Sequence, residues 1–165
     1  MKHLKIDHLG IAVPSLEQAI AAYEDLGFRV EATHDVPTEK VKAAFLPVGE
    51  SHLELLEPTD PASAIGRFLE RRSGLHHVCV LVDDLDAALE ELKARGVPLL
   101  DQAPRVGAGG CRVAFVHPKG AAGVLLELND AYNARLEPER AHETLQRAIE
   151  LAGGSGSPTT RGWIL

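Results

Sequence analysis

Two histidines and two glutamates stand where their chemistry is easiest to read. His8 and His77 each open an apolar strand, "HLGIAV" and "HVCVLV". Glu54 and Glu127 each sit between leucines, in "HLELLEP" and "VLLELND". A carboxylate flanked by Leu53 and Leu55, or by Leu126 and Leu128, is costly to bury unpaired. A divalent cation removes that cost by supplying the opposing charge. Two neutral imidazoles and two carboxylates form a nitrogen–oxygen set. It suits Co2+ first, and Mn2+, Fe2+, Ni2+ or Zn2+, in a six-coordinate site with two positions open. Cysteine is not expected among the ligands. Taken singly, each residue has a plainer reading: a strand-initial histidine is more often structural, and a lone glutamate more often points outward.

An internal repeat tips the balance. "DHLGIAVPSLEQAIAAYEDLGF" (Asp7 to Phe28) aligns with "HHVCVLVDDLDAALEELKARGV" (His76 to Val97) at a constant offset of 69. His8 falls on His77, Leu16 on Leu85, Ala19 on Ala88 and Gly27 on Gly96. "VKAAFLPVG" matches "CRVAFVHPKG", and Glu54 then falls on Glu127, with the extra residues in loops. All four residues therefore occupy equivalent places in two copies. His76 aligns with Asp7. Strand neighbours point to opposite faces, so His76 is expected on the other face as a structural residue. His3, His34, His52, His117 and His142 have no repeat equivalent and are not expected as ligands.

Each copy reads as a strand, a helix and three further strands. The helices carry apolar residues at helical spacing, Leu16, Ala19, Ile20, Tyr23 and Leu85, Ala88, Leu89, Leu92. They start at Ser15 (with Gln18) and at Asp83 or Asp84, and end near Gly27 and Gly96. The remaining strands are expected at 30–33, 42–47 and 52–56, then at 98–101, 112–117 and 124–128. The fold class is α+β: two tandem βαβββ modules, 1–58 and 74–130, forming a curved mixed sheet around a metal site. A linker, 59–73, holds a short helix in "SAIGRFLERR". The segment 131–165 is expected to add an amphipathic C-terminal helix over 136–152 and a linker-like tail over 153–162.

The chain has 165 residues with net charge −7, which argues against a general nucleic-acid or anionic-membrane binder. Cys79 and Cys111 read as reduced, buried thiols. No stretch is long enough to span a membrane, and "MKHLKIDHLGIAV" lacks the h-region of a signal peptide, so a cytoplasmic location is expected.

The quoted motifs, together with "SAIGRFLERR" and above all "PRVGAGGCRVAFVHPKGAAGVLLEL" (Pro104 to Leu128), resemble the vicinal oxygen chelate superfamily, of the glyoxalase and bleomycin-resistance type. The resemblance runs from about Leu4 to Asn129. Within the superfamily it points to the branch that inverts C2 of methylmalonyl-CoA. It implies a metal-dependent epimerase interconverting the (2R) and (2S) thioesters by proton transfer through a metal-stabilised enolate. By that likeness His8, His77 and Glu127 match metal ligands, Glu54 matches a position at the metal held by glutamine or glutamate, and Glu127 also matches a residue proposed to move the proton. The substrate implied is an acyl-CoA and the assembly a homodimer.

Some assignments stay open at this point. Lys42 stands where some members have a glutamate proposed as the second base, so it is a candidate acid–base residue or a solvated strand lysine. Arg105 or Lys119 could meet CoA phosphates. "RVGAGG" lacks the strand–helix context of a dinucleotide fingerprint and reads as a turn. The competing functions are a glyoxalase I-like lyase acting on a glutathione hemithioacetal, and a metal-free binding protein of the bleomycin-resistance type. An extradiol dioxygenase fits less well, because Glu54 would fill one of the three positions it keeps open.

Overall fold

The computed structural model describes residues 1–130, so the helix expected over 136–152 and the tail over 153–162 lie outside the described residues. The elements run β1 (His3–Ala12), α1 (Leu16–Asp25), β2 (Ala32–Val36), β3 (Val41–Val48), β4 (Ser51–Pro58), α2 (Ala64–Leu69), β5 (Gly74–Val82), α3 (Leu85–Ala94), β6 (Arg105–Val106), β7 (Arg112–Val116) and β8 (Leu126–Asp130). The eight strands form one curled sheet in the order β2-β3-β4-β1-β5-β8-β7-β6. β1 pairs parallel with β4, and β5 pairs parallel with β8. The two halves meet where β1 and β5 run antiparallel.

That seam carries the symmetry of the repeat. Leu9 and Val78 are equivalent in the two copies, and they are also cross-strand neighbours. A pseudo-dyad therefore passes through this pair. His8 lies opposite Cys79 on one side of it, and His77 opposite Gly10 on the other.

The helices are held by local chemistry legible in the sequence. Ser15 accepts a hydrogen bond from the Gln18 N–H at 3.3 Å, and Asp84 from the Ala87 N–H at 2.9 Å. Gly27 and Gly96 take φ of 91° and 69° directly after the helices, where a side chain would be strained. α1 covers Ala44, Leu46 and Leu55 on the outer face of the sheet, and α3 covers Ala114, Val116 and Leu128. Leu85 and Leu89 are essentially fully buried, worth about 1.5–3 kcal/mol each in transfer free energy. The inner face of the first half is a separate cluster of Ala12, Val36, Val41, Ala43, Phe45 and Leu56, closed by Ile65 and Phe68 of α2.

Most strand boundaries shift by one residue or a few, and three differences matter most. β2 starts at Ala32 rather than at 30, and β8 is displaced two residues toward the C-terminus of 124–128. The strand expected over 98–101 is reduced to a single bridge between Leu99 and Val116. There the Asp101 side chain accepts the Phe115 N–H at 2.8 Å, so a carboxylate takes the donor that a ladder would use. Pairing with β7 resumes at Arg105–Val106, inside the stretch read as a turn, before a short 3-10 segment over Ala108–Gly110.

Candidate metal centre and active site

The sheet brings His8, Glu54, His77 and Glu127 to one point on its inner face, all buried. The Nε2 atoms of His8 and His77 are 3.1 Å apart. Glu54 Oε2 lies 3.2 Å from His8 Nε2, and Glu127 Oε2 lies 3.1 Å from His77 Nε2. The crossed distances, His8 to Glu127 and His77 to Glu54, are 3.9 and 3.7 Å. Each half contributes one imidazole and one carboxylate, as the repeat implies.

Such convergence of lone pairs is relieved by a shared proton or by a metal ion, which these groups could hold. Burial disfavours a charged His8, yet the Glu54 carboxylate, the hydrogen bond to Asp7 and the Glu127 carboxylate together raise its pKa to about 9. Burial would raise Glu127, but the bond to His77 and the charges of His77 and His8 hold it down to about 2. The main partner differs, Glu54 for His8 and His77 for Glu127, and the His8–Glu127 attraction adds to both. His8, His77 and Glu127 present one ligand atom each within 4.8 Å of one another, and Glu54 approaches the same two imidazoles from the first half. A nitrogen–oxygen set of this kind fits a borderline divalent ion.

The backbone makes the arrangement possible through two bulges. The β1·β5 register shifts between Ile6 and His8, and again opposite His76, where Ile11 pairs with Leu75. A bulge places consecutive side chains on one side of the sheet. Asp7 is therefore buried beside His8, with its Oδ2 2.9 Å from His8 Nδ1. His76 likewise turns inward, with its Nδ1 2.9 Å from His77 Nδ1. This overturns the expectation that His76 faces away, because strict alternation fails at a bulge.

Cys79 and Cys111 are free, buried thiols, as expected. The Cys79 thiol belongs to a second cluster with Asp7 and His8. Burial and the nearby Glu127 push the thiol well above its ordinary range, so it stays protonated. It is a neutral neighbour of the centre.

Above the four residues lies a cavity of about 220 Å³. Its walls are largely apolar, including Val36, Val41, Leu56, Ile65, Leu100 and Val113. Its polar lining was not foreseen as a group. Arg105 pairs with Asp101 at 3.2 Å and with Glu39 in the β2–β3 turn, and its guanidinium lies 5.1 Å from the Phe115 ring. Glu39 and Arg105 come from different halves of the chain and meet across the cavity. Their sequence neighbours gave no signal of this, since the contact depends on how the two halves dock.

Lys42 is not brought to this cavity. It lies on the outer face, opposite Glu57 in the β3·β4 ladder, in a shallow depression beside α1 with Ser15, Leu16 and Glu24. Its neighbours Val41 and Ala43 face inward instead. A one-residue change of parity in a strand moves a side chain to the other face, and that parity was not readable before the register was known. Lys119 is absent from the residues lining the cavity.

A sheet of two βαβββ halves folded around a paired His/Glu centre defines a class, and the sequence profile of the Glyoxalase/Bleomycin resistance protein/Dioxygenase superfamily matches residues 7–115. The chain belongs to that superfamily. More particularly, it is 38% identical over 130 residues to the mitochondrial methylmalonyl-CoA epimerase of Homo sapiens, covering 77% of this chain and 74% of the human protein. It is 41% identical over 128 residues to an ethylmalonyl-CoA/methylmalonyl-CoA epimerase of Cereibacter sphaeroides, covering 75% and 96%. Among solved structures, a Streptomyces coelicolor methylmalonyl-CoA epimerase variant in complex with 2-nitronate-propionyl-CoA superposes with a TM-score of 0.74 at 36% identity, covering 78% of this chain and 95% of that one. A methylmalonyl-CoA epimerase in complex with methylmalonyl-CoA and NH4+ matches with the same TM-score, identity and coverage.

Proposed function

We propose that this protein interconverts (2R)- and (2S)-methylmalonyl-CoA by moving the proton at C2. The observation that carries the reading is the convergence of His8, Glu54, His77 and Glu127 at the foot of an apolar cavity. The chain's similarity to epimerases of this substrate supports it.

His8, Glu54, His77 and Glu127 would hold one divalent ion, Co2+ in the first instance. Such an ion supplies Lewis acidity toward a carbonyl oxygen and a template for chelating a small acid. The chain supplies the rest. Glu127 lines the cavity and is the carboxylate for proton transfer at one face of C2. Glu39 reaches the cavity from the first half and is the candidate for the opposite face, in place of Lys42. A positioned acid or base of this kind contributes about 10²–10⁴-fold. Val36, Val41, Leu56 and Val113 exclude water, which strengthens each charge interaction inside. Arg105 provides a guanidinium at the wall for an anionic group of the substrate.

A homodimer belongs to the same proposal. Leu4, Ile6 and Leu75, on the central strands β1 and β5, are about half exposed and suit cover by a second copy. Sedimentation velocity tests this.

The test of function is incubation of Co2+-loaded protein with (2R)- or (2S)-methylmalonyl-CoA in D₂O, following the C2 proton and the second epimer by NMR. Exchange with epimer formation, lost in His77→Ala and Glu127→Gln, is expected. No exchange despite one bound ion per chain rejects the epimerase and directs the next assay to the glutathione–methylglyoxal adduct. Protein that retains no divalent ion supports the binding-protein reading instead.

A further inference from the structure

The two imidazoles are equivalent by repeat, but they are held from behind by unlike groups. His8 Nδ1 faces the Asp7 carboxylate at 2.9 Å, and Asn129 on β8 donates its Nδ2–H to the same Asp7 oxygen at 3.0 Å. Asp7 and Asn129 are 3% and 1% exposed, so water does not compete for these bonds. His77 Nδ1 instead faces another imidazole, that of His76, which is packed edge-on against Phe68 of α2 with centroids 4.9 Å apart.

We infer that Asp7, fixed by Asn129, is a positioning residue that sets the ring orientation and tautomer of His8, and that His76 performs the corresponding task for His77 without a charge. The reasoning is stereochemical. A neutral imidazole can offer Nε2 as a ligand only if its proton resides on Nδ1. A carboxylate on Nδ1 accepts that proton in a hydrogen bond and so leaves the Nε2 lone pair directed at the cluster. The same bond stops the ring from turning about its Cβ–Cγ axis. Asp7 can reach His8 only because the bulge turns both side chains inward. Asn129 completes the arrangement from β8, so the carboxylate is tied to the strand that also carries Glu127. Outer partners of this kind typically govern metal affinity by about 10–100-fold.

The inference rests on the reading of the cluster as a metal centre, and not on the identity of the substrate. Its test is therefore made without substrate. Co2+-loaded protein is examined by proton NMR in H₂O and D₂O, where the Nδ1–H protons of two Co2+-bound imidazoles give two exchangeable signals displaced far outside the ordinary range. Co2+ affinity is measured in parallel by competition with a chelator.

Asp7→Ala is expected to abolish one of the two signals, spare the other and weaken Co2+ binding by about 10–100-fold. Asp7→Asn keeps an acceptor oxygen and is expected to restore the signal and part of the affinity. Should Asp7→Ala fail to fold, Asn129→Ala keeps the carboxylate but frees it. Faster solvent exchange of the same signal and a several-fold loss of affinity are then expected. Both signals and wild-type affinity surviving in Asp7→Ala, or in Asn129→Ala where only that variant folds, overturn the assignment. Wild-type protein that binds no Co2+ overturns the metal centre and this inference with it. Wild-type protein that binds Co2+ and shows both signals, yet gives no C2 exchange in the separate substrate assay, counts against the epimerase and leaves Asp7 in its role.

Discussion

Gly10 lies directly across the β1·β5 seam from His77, and the His77 ring occupies the space that a side chain at position 10 would fill. A Cβ built there would stand 2.1 Å from His77 Cε1. Gly10 is thus required by its neighbour rather than by its own backbone angles. In the other half Cys79 takes the equivalent position opposite His8, so the two imidazoles sit over different floors.

Gly10→Ala follows from this directly. The added methyl must push the whole His77 ring aside, since the atoms it would meet, Cε1, Nδ1 and Nε2, belong to one rigid ring. The centre then loses one of its four groups. Titration calorimetry with Co2+ should find affinity reduced by at least the 10–100-fold of an outer-partner mutation. Wild-type affinity in a folded Gly10→Ala protein would show that the ring has another place to go.

Lys42 and Glu39 make a contrasting pair. Lys42→Ala removes a cation on the outer face, opposite Glu57, and epimerase activity should stay within about twofold of wild type. Glu39→Gln removes a carboxylate from the cavity wall and should lower kcat by about 10²-fold or more if it serves the second face of C2. Steady-state kinetics on both epimers checks this. Equal effects of the two substitutions would refute the assignment of Glu39.

The metal-free protein should be most stable between about pH 4.5 and 6.5. His8 has a raised pKa of about 9 against an ordinary 6.5. Its contribution is complete below 6.5 and is lost as pH rises through 9. Glu127 has a lowered pKa of about 2 against an ordinary 4.5. Its contribution is complete above 4.5 and is lost as pH falls through 2. Thermal melts of chelator-treated protein should therefore show Tm falling from pH 6.5 to 9. A bound divalent ion takes the place of the proton and should remove that alkaline decline. Its binding below pH 9 should also release protons, seen as a buffer-dependent calorimetric enthalpy. A metal-free Tm that is flat up to pH 9 would count against a shared proton in the cluster.

The sequence exposed the architecture through repetition. His8 over His77 and Glu54 over Glu127 could be paired because the copies keep a fixed spacing, and Ser15, Asp84, Gly27 and Gly96 carried their capping chemistry locally. What escaped was everything that depends on register or docking. The bulges at Asp7 and His76 insert a residue without a composition signal, so His76 read as outward. The parity of β3 relative to β4 put Lys42 outside and Ala43 inside. Asp101 looked like the end of a strand but takes the Phe115 N–H itself. Glu39 and Arg105 meet only because the two halves close on each other, a contact between positions 66 residues apart.

The division of the four groups between the halves also sets an order of events. β1 to β4 carry His8 and Glu54, and β5 to β8 carry His77 and Glu127. Neither half alone carries all four side chains, so if they hold an ion, a chain severed in the 59–73 link would yield two fragments whose reassociation an added ion should promote. During synthesis the same logic delays loading. Glu127 lies in β8, and β8 must insert between β5 and β7 before the fourth group is in place. A growing chain stays without all four side chains until that strand has emerged, and capture of an ion by them would then record that both halves have docked.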